Sequence, residues 1–291
     1  MITNVQKVEL DESRSMNEID VSELTRLLNR ARRYVLKMAS VEKTVHAGSS
    51  LSVLDILGTI WYLEMRDRKC DEEPHKHHWL ILSKGHAVPA FYAVLAAFGI
   101  IPESWITTIR DIASPLQGHP DDTLACVDAP TGSLAQGFSF AVGVAKGLKM
   151  MNSDKWVYVI LGDGELDEGE VWEAASTAAA LNLDNLIAIV DWNRFQLDGA
   201  TEHVKRKGDL QGKWKSFGWH VIILDNGHDP NLIIESIQEA KESAKKLKKP
   251  VAILAKTIRG KGIPLIEDTK QQRIPPEEAK RLLESWENDA T

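Results

Sequence analysis

The sequence predicts an α/β protein with a mostly parallel sheet covered by helices on both faces, and three observations predict it. Five short runs, Trp79–Leu82, Trp156–Leu161, Leu186–Val190, Gly218–Leu224 and Pro250–Lys256, are largely apolar rather than alternating, as strands buried on both faces are. Helical patterning fills the intervals, so strands and helices alternate along the chain. Residues 156–200 read as strand, loop, helix, strand, loop, a crossover whose two strands run parallel and whose loops open on one carboxyl edge.

In order along the chain, residues 1–18 are polar and without periodicity, and are expected to form a loosely held arm. Residues 19–291 contain no repeat, low-complexity run or composition shift, which predicts a single domain. A helix is expected from Val21 to about Lys43. It is followed by a break holding His46, and by an apolar helix over Leu51–Met65 with Leu54, Leu57, Ile60 and Trp61. Residues 66–78 form a charged connector. The strand Trp79–Leu82 then runs through the turn Ser83-Lys84-Gly85-His86 into an apolar helix over Ala87–Phe98. Pro102 opens another helix, and 115–130 is a loop rich in Gly, Pro and Asp that carries His119. Small residues in Thr131-Gly-Ser-Leu-Ala-Gln-Gly137 allow close backbone approach at the start of a helix reaching about Met151. Acidic residues open the helix over Glu168–Leu181, and a last helix spans about Asn231–Lys245.

Composition narrows the function classes. With 43% apolar and 26% charged residues the chain is an ordinary globular protein, and its net charge of −7 without a long basic run excludes nucleic acid and anionic membrane as main partners. The N-terminal MITNVQKVELDESRS lacks an apolar core, and Ala87–Ile101 falls short of the ~18 residues of a membrane span. Neither secretion nor insertion is expected. Cys70 and Cys126 lack metal-ligand spacing and read as two reduced thiols of a cytoplasmic protein.

The chemistry gathers at the ends of the strands. Asp163 follows one strand of the crossover and Asn193 the other. Neighbouring strands lie ~4.8 Å apart, so a carboxylate and an amide can share an ion there. Their hard oxygens suit Mg²⁺ or Ca²⁺, and Gly162 and Gly164 let a diphosphate approach the backbone ahead of a helix N-terminus. Gly162, Gly164 and Gly169 have the wrong spacing for a dinucleotide fingerprint. Three of the nine histidines, His46, His86 and His119, sit within two residues of a glycine at a predicted break. An imidazole titrates near neutrality, so these three around one pocket would move protons to and from sugar hydroxyls.

Gly-Asp-Gly at 162–164, followed by the 28 residues 165–192 and then Asn193, resembles the cofactor motif of the thiamine diphosphate-dependent enzymes. The resemblance implies metal ligation by Asp163, Asn193 and the carbonyl of Phe195, and cofactor contact through Gly164. Within that group the chain is similar to transketolases over nearly all of residues 20–265. The matching segments are His46-Ala-Gly-Ser49, Leu82-Ser-Lys84-Gly-His86-Ala87, Gly118-His119-Pro120 and Thr131-Gly132-Ser-Leu134-Ala-Gln-Gly137. What it implies is a pocket lined by His46, His86 and His119, with Ser49, Lys84, Gly132, Leu134 and Arg259 near the cofactor or substrate. Glu168 would lie at a subunit interface and support cofactor activation.

The chain is less than half the length of a typical transketolase and matches the diphosphate-binding domain. The resemblance therefore implies a two-component enzyme moving a two-carbon ketol unit from a ketose phosphate to an aldose phosphate. Its partner would be a C-terminal subunit supplying the pyrimidine-binding domain, in a two-plus-two heterotetramer. Two alternatives stand beside it: a subunit of a deoxyxylulose-phosphate synthase-like or 2-oxo-acid dehydrogenase-like enzyme, and a non-catalytic binding domain. Gly118-His119-Pro120 speaks for transketolase. One departure is visible. Where transketolases commonly carry Lys-Gly-x-Gly and later Trp-His-Gly, this chain has Arg259-Gly-Lys-Gly262 and Gln271-Gln272-Arg273, and an unbroken count puts Arg273 in the histidine's place. The competing expectation is that 266–276 form a solvent loop.

Overall fold

The computed structural model describes residues 19–70, 72–73 and 75–288, so the arm expected over 1–18 lies outside them. Helix α1 spans Val21–Val41 and α2 spans Ala47–Glu64. Strand β1, Trp79–Leu82, leads through a single 3₁₀ turn into α3, Val88–Ala97. The helix expected at Pro102 is a 3₁₀ turn over Glu103–Thr108. Helix α4, Gln136–Met150, precedes β2, Val157–Gly162, α5, Gly169–Ala180, and β3, Leu186–Trp192. A short hairpin, β4 (Phe195–Gln196) with β5 (Gly199–Ala200), is followed by α6, Thr201–Val204, and α7, Leu210–Ser216. Strand β6, His220–Leu224, α8, Pro230–Leu247, β7, Val251–Lys256, and α9, Pro276–Asn288, complete the order.

The main sheet runs β1-β2-β3-β7-β6 with every neighbouring pair parallel. Each strand feeds two cores, because successive side chains point to opposite faces. On β2, Tyr158 and Ile160 join the core under α1, α2, α3 and α8. Val157, Val159 and Leu161 join the core under α4, α5 and α7. The expected helix layers on both faces are therefore present, and they explain why the strands read as continuous apolar runs.

Helix α1 is amphipathic, burying Leu24, Leu28, Ala31, Val35 and Met38, and the Asp20 carboxylate caps it by accepting Glu23 N–H at 2.9 Å. Helix α2 is buried from Ala47 to Tyr62 and starts four residues earlier than the sequence suggests. Its first turn, Ala-Gly-Ser-Ser, is a poor helix former held by tertiary bonds. Gly48 N–H donates to Gln272 O at 3.0 Å, for example, and Ser49 O accepts from Lys84 Nζ at 3.2 Å. Gly137 is where α4 meets β1. A Cβ there would stand 2.7 Å from the Ser83 Cα, so only glycine permits the contact.

The cysteines are a correction. Cys70 and Cys126, expected as reduced thiols, form a disulfide between the 66–78 connector and the 115–130 loop, with Cα atoms 4.6 Å apart. They stand 56 residues apart in sequence, and folding brings their segments together. The buried Arg68–Asp128 ion pair, at 2.6 Å, fastens the same two segments. The cysteines therefore give no support to a reducing compartment. Closing a loop of this length stabilises a fold by about 4 kcal/mol in the chain-entropy account. Dithiothreitol should lower the urea-unfolding free energy of the wild type by a comparable amount and leave a Cys70→Ser/Cys126→Ser variant unchanged. Among the described residues no helix is long and apolar enough to cross a membrane.

Candidate active site

Strands β2 and β3 are direct neighbours with Gly162 opposite Asp191, so the residues just past them meet at one edge. Asp163 N–H donates to Asp191 O at 3.2 Å, and the Asp163 carboxylate accepts Arg194 N–H at 2.7 Å. The Asn193 Nδ2 group donates to Asp191 Oδ2 at 3.0 Å and Ser52 Oγ at 3.3 Å. Its Oδ1 accepts Phe195 N–H at 3.0 Å and keeps a second lone pair. Asp163 is 1% exposed, and burial, followed by the nearby Asp191 charge, pushes its carboxyl up to about 7. A buried carboxylate with no ion pair among the described residues, beside an amide oxygen whose nitrogen is held elsewhere, fits a hard divalent cation. Among the described residues no group of three or more His, Cys, Asp or Glu is arranged to hold a metal. The expected set contains only one such residue and takes its other oxygens from an amide and a carbonyl.

Asp191 is the hub that sequence reasoning misses. It is fully buried and accepts from Lys84 Nζ, Ser52 Oγ, Thr257 Oγ1 and Asn193 Nδ2. Burial alone would raise its carboxyl. The Lys84 ammonium and the donated hydrogen bonds outweigh that and hold it below the usual carboxylate range. Lys84, 1% exposed, also donates to Ser49 O at 3.2 Å, tying the start of α2 to the end of β1. The available signal was a charged residue inside the apolar run Ile187-Ala-Ile-Val-Asp191. Glu165 does comparable work for the neighbouring loops, accepting from Ser83 Oγ at 2.5 Å, Ala135 N at 2.8 Å and Gly162 N at 3.0 Å. Gly164 sits against the hairpin, where a Cβ would stand 3.0 Å from the Gln196 Cβ.

The three predicted histidines gather. The His46 and His86 ring centroids are 5.5 Å apart. Gly132 lies beside the His119 ring, with a Cβ position 3.9 Å from its Cδ2. Burial lowers His46 to about 4, helped by the charges of Arg273 and Arg110, and lowers His86 to about 3, helped by Lys84 and His46. His119 is lowered by burial and then by Arg110. The expectation of imidazoles titrating near neutrality is thereby corrected: partial burial and nearby cations keep His46 and His86 neutral at pH 7 and shift the more exposed His119 in the same direction. Stability tied to these lowered values is complete above pH 6.5 and is lost as pH falls through about 4 for His46 and about 3 for His86. Histidine proton resonances should show both rings neutral at pH 5, whereas in the urea-unfolded chain they titrate near the ordinary value.

Arg110 is a second missed residue. It adopts φ +66°, and its guanidinium occupies the space where a Gly118 Cβ would stand, with Nε 3.0 Å from that point. A side chain on Gly118 of the Gly-His-Pro segment would displace this guanidinium from the histidine cluster. Arg259 is 4% exposed, stands 5.7 Å over the Phe195 ring, and donates to Gln196 O at 3.4 Å and to Gln272 Oε1. Its buried Nε–H has no partner among the described residues, which suits an anion. The solvent-loop expectation for 266–276 does not fit the bonds made there, since Gly48 N–H donates to Gln272 O at 3.0 Å. The inward side chain is Gln272, whereas Arg273 is exposed and reaches His46 through its charge.

Glu168 stands apart. It is the exposed N-cap of α5, makes no capping bond, and is not among the main charges acting on the histidines. Leu134 is half-buried beside the left-handed Ala135. A groove of ≈ 560 Å³ lined by Arg32, Asp55, His228, Lys261 and Trp286 contains none of the expected site residues.

With this geometry in hand, comparison with known proteins is specific. The family described as transketolase, thiamine diphosphate binding domain, matches residues 24–281. The chain belongs to the transketolase family. It is 40% identical to a 6-deoxy-6-sulfo-D-fructose transketolase subunit of Clostridium sp. (strain MSTE9), over 75% of this chain and 78% of that one. It is 34% identical to an apulose-4-phosphate transketolase subunit of Phocaeicola vulgatus, covering 86% of this chain and 87% of the other. Against the transketolase of Homo sapiens the identity is 36%, over 93% of this chain but 43% of the other. The transketolase domain thus spans less than half of that relative and most of the two proteins named as subunits. The solved transketolase of Campylobacter jejuni superposes with a TM-score of 0.81 at 27% identity, over 91% of this chain and 43% of that one. The thiamine diphosphate-binding α/β fold expected from the motifs is the one found.

Proposed function

We propose that this chain is the diphosphate-binding subunit of a two-component transketolase, transferring a two-carbon ketol unit from a ketose phosphate to an aldose phosphate. One observation carries the reading: the buried Asp163–Asn193 pair, the unpartnered Arg259 Nε–H and the neutral His46 and His86 lie around the carboxyl ends of adjacent parallel strands. Asp163, Asn193 and the Phe195 carbonyl would hold Mg²⁺, or Ca²⁺ or Mn²⁺ in its place. Ser49, Lys84, His86, Gly132, Leu134, Gly164 and Arg259 would surround the cofactor. Thiamine diphosphate, when bound, supplies the electron sink for breaking and making the carbon–carbon bond. The chain's own task is to orient it, exclude water and exchange hydrogen bonds with the sugar through His46, His86 and His119. Glu168, exposed at a helix end, suits contact with another subunit.

The partner would be a C-terminal subunit bearing the pyrimidine-binding domain, in a two-plus-two assembly in the cytoplasm. The similar lengths of the two relatives named as subunits support this division. Co-expression with such a chain, followed by assay on xylulose 5-phosphate and ribose 5-phosphate, should give turnover that requires thiamine diphosphate and a divalent metal. The isolated chain should give none, and turnover by it alone would overturn the two-component reading.

A further inference from the structure

We infer that Gln272 is a positioning residue that holds His46 as the Nε2–H tautomer, so that His46 offers the site a hydrogen-bond donor and not a base. The order of donors and acceptors is set at Arg259. A guanidinium only donates, and its Nη2 donates to the Gln272 side chain, so the atom facing Arg259 is the amide oxygen. The amide nitrogen then faces the other way, 3.0 Å from Ser49 Oγ and 3.3 Å from His46 Nδ1. Its two hydrogens have these two acceptors. Ser49 is consistent with that role, because its own hydroxyl donates onward to His46 O at 3.4 Å. An amide NH₂ cannot accept, so His46 Nδ1 must carry the lone pair and the ring proton must sit on Nε2.

The arrangement is built into the backbone. Gly48 N–H donates to Gln272 O at 3.0 Å, and Gly260 N–H donates to Gly48 O at 2.9 Å. The start of α2, the turn carrying Arg259 and the segment carrying Gln272 are thus bound to one another, and buried Ile274 anchors the last of them. With Nδ1 engaged, Nε2 is the nitrogen His46 has free for a ligand. The placing of His46 in a substrate pocket rests on the function proposed above, whereas the tautomer assignment rests on hydrogen-bond geometry alone.

The test is a two-bond proton–nitrogen correlation spectrum of the chain carrying ¹⁵N-labelled histidine, with His46→Asn to assign the signal. The wild type should show His46 with a bare Nδ1 and a protonated Nε2. Gln272→Leu should average the two nitrogens toward a tautomer mixture. Gln272→Glu replaces the donating amide with a group that only accepts, and should put a proton on Nδ1 and move the His46 titration to higher pH. With the partner chain, Gln272→Leu should lower kcat by about 10-fold to 100-fold, the scale on which losing a ring-orienting partner acts at metal-bound histidines. A protonated Nδ1 in the wild type, or a Gln272→Leu spectrum identical to it, would overturn the assignment. A wild-type assembly without transketolase turnover would instead sink the function proposed above, and the spectra would still decide the tautomer.

Discussion

Lys84→Met should destabilise the chain by about 3–5 kcal/mol, the range found when one member of a buried ion pair is removed. Lys84 is 1% exposed and Asp191 0%, and the ammonium is the counter-charge that holds this carboxylate ionised in a dry environment. Without it Asp191 would keep the Ser52, Thr257 and Asn193 donors but no ion-pair partner, with the Asp163 carboxylate on the adjoining strand end and the Arg259 guanidinium acting on both carboxylates. Asp191→Asn fails in the opposite way, leaving a buried ammonium with only neutral acceptors, the new amide oxygen and Ser49 O, in place of its paired carboxylate. A Lys84→Met/Asp191→Leu double variant removes both charges and should recover part of the loss, because the cost lies in the stranded charge more than in the missing contact. Urea unfolding of the three variants checks this. Single-variant losses below about 1 kcal/mol, the range of surface pairs, would show that water reaches the pair.

The sheet was legible because burial on both faces leaves a simple signature. β2 carries six residues from Val157 to Gly162, and both of its faces meet helices, so no polar alternation is tolerated. His46, His86, His119, Asp163 and Asn193 were legible because each stands at a break between elements, where a parallel sheet gathers its loops. Residues whose importance depends on tertiary contact were less legible. Asp191 reads as the end of an apolar strand until Lys84, 107 positions away, is seen against it. Counting along the chain selected Arg273, but residues 260–268 turn three times, with φ of +70° at Gly260, +85° at Gly262 and +54° at Asp268. Which side chain points inward after those turns is not set by the count, and it is Gln272. The α9 helix carries no long apolar run. Ala279, Leu282, Leu283 and Trp286, spread among charged residues, are what packs inward against the core shared with α1. The neutrality of the histidines depends on burial and on Arg110, Lys84 and Arg273 arriving from other segments.

Asp163→Asn should separate function from stability, with opposite signs. The carboxyl is pushed up to about 7 by burial and then by Asp191, against the Arg194 and Gly164 N–H groups and Lys84, which favour its charge. An aspartate whose folded value lies above its unfolded value weakens the fold as pH rises from about 4 through 7, because the unfolded chain gives up the proton first. At pH 8 the metal-free chain therefore bears the full penalty. The neutral amide should remove a few kcal/mol of it while its oxygen still accepts the Arg194 N–H, so metal-free Asp163→Asn should unfold at higher urea concentration than the wild type. Binding should move the other way. Asp163 is the one charged ligand of the proposed metal set, and a hard divalent cation loses most of its electrostatic stabilisation without it. With the partner chain present, Asp163→Asn and Asp163→Ala should abolish metal-dependent thiamine diphosphate binding, measured by titration calorimetry, and with it all turnover. Wild-type cofactor affinity in either variant would remove the metal from Asp163. Cofactor binding lost together with a lower unfolding midpoint would mean that the carboxylate holds the fold as an ionised group.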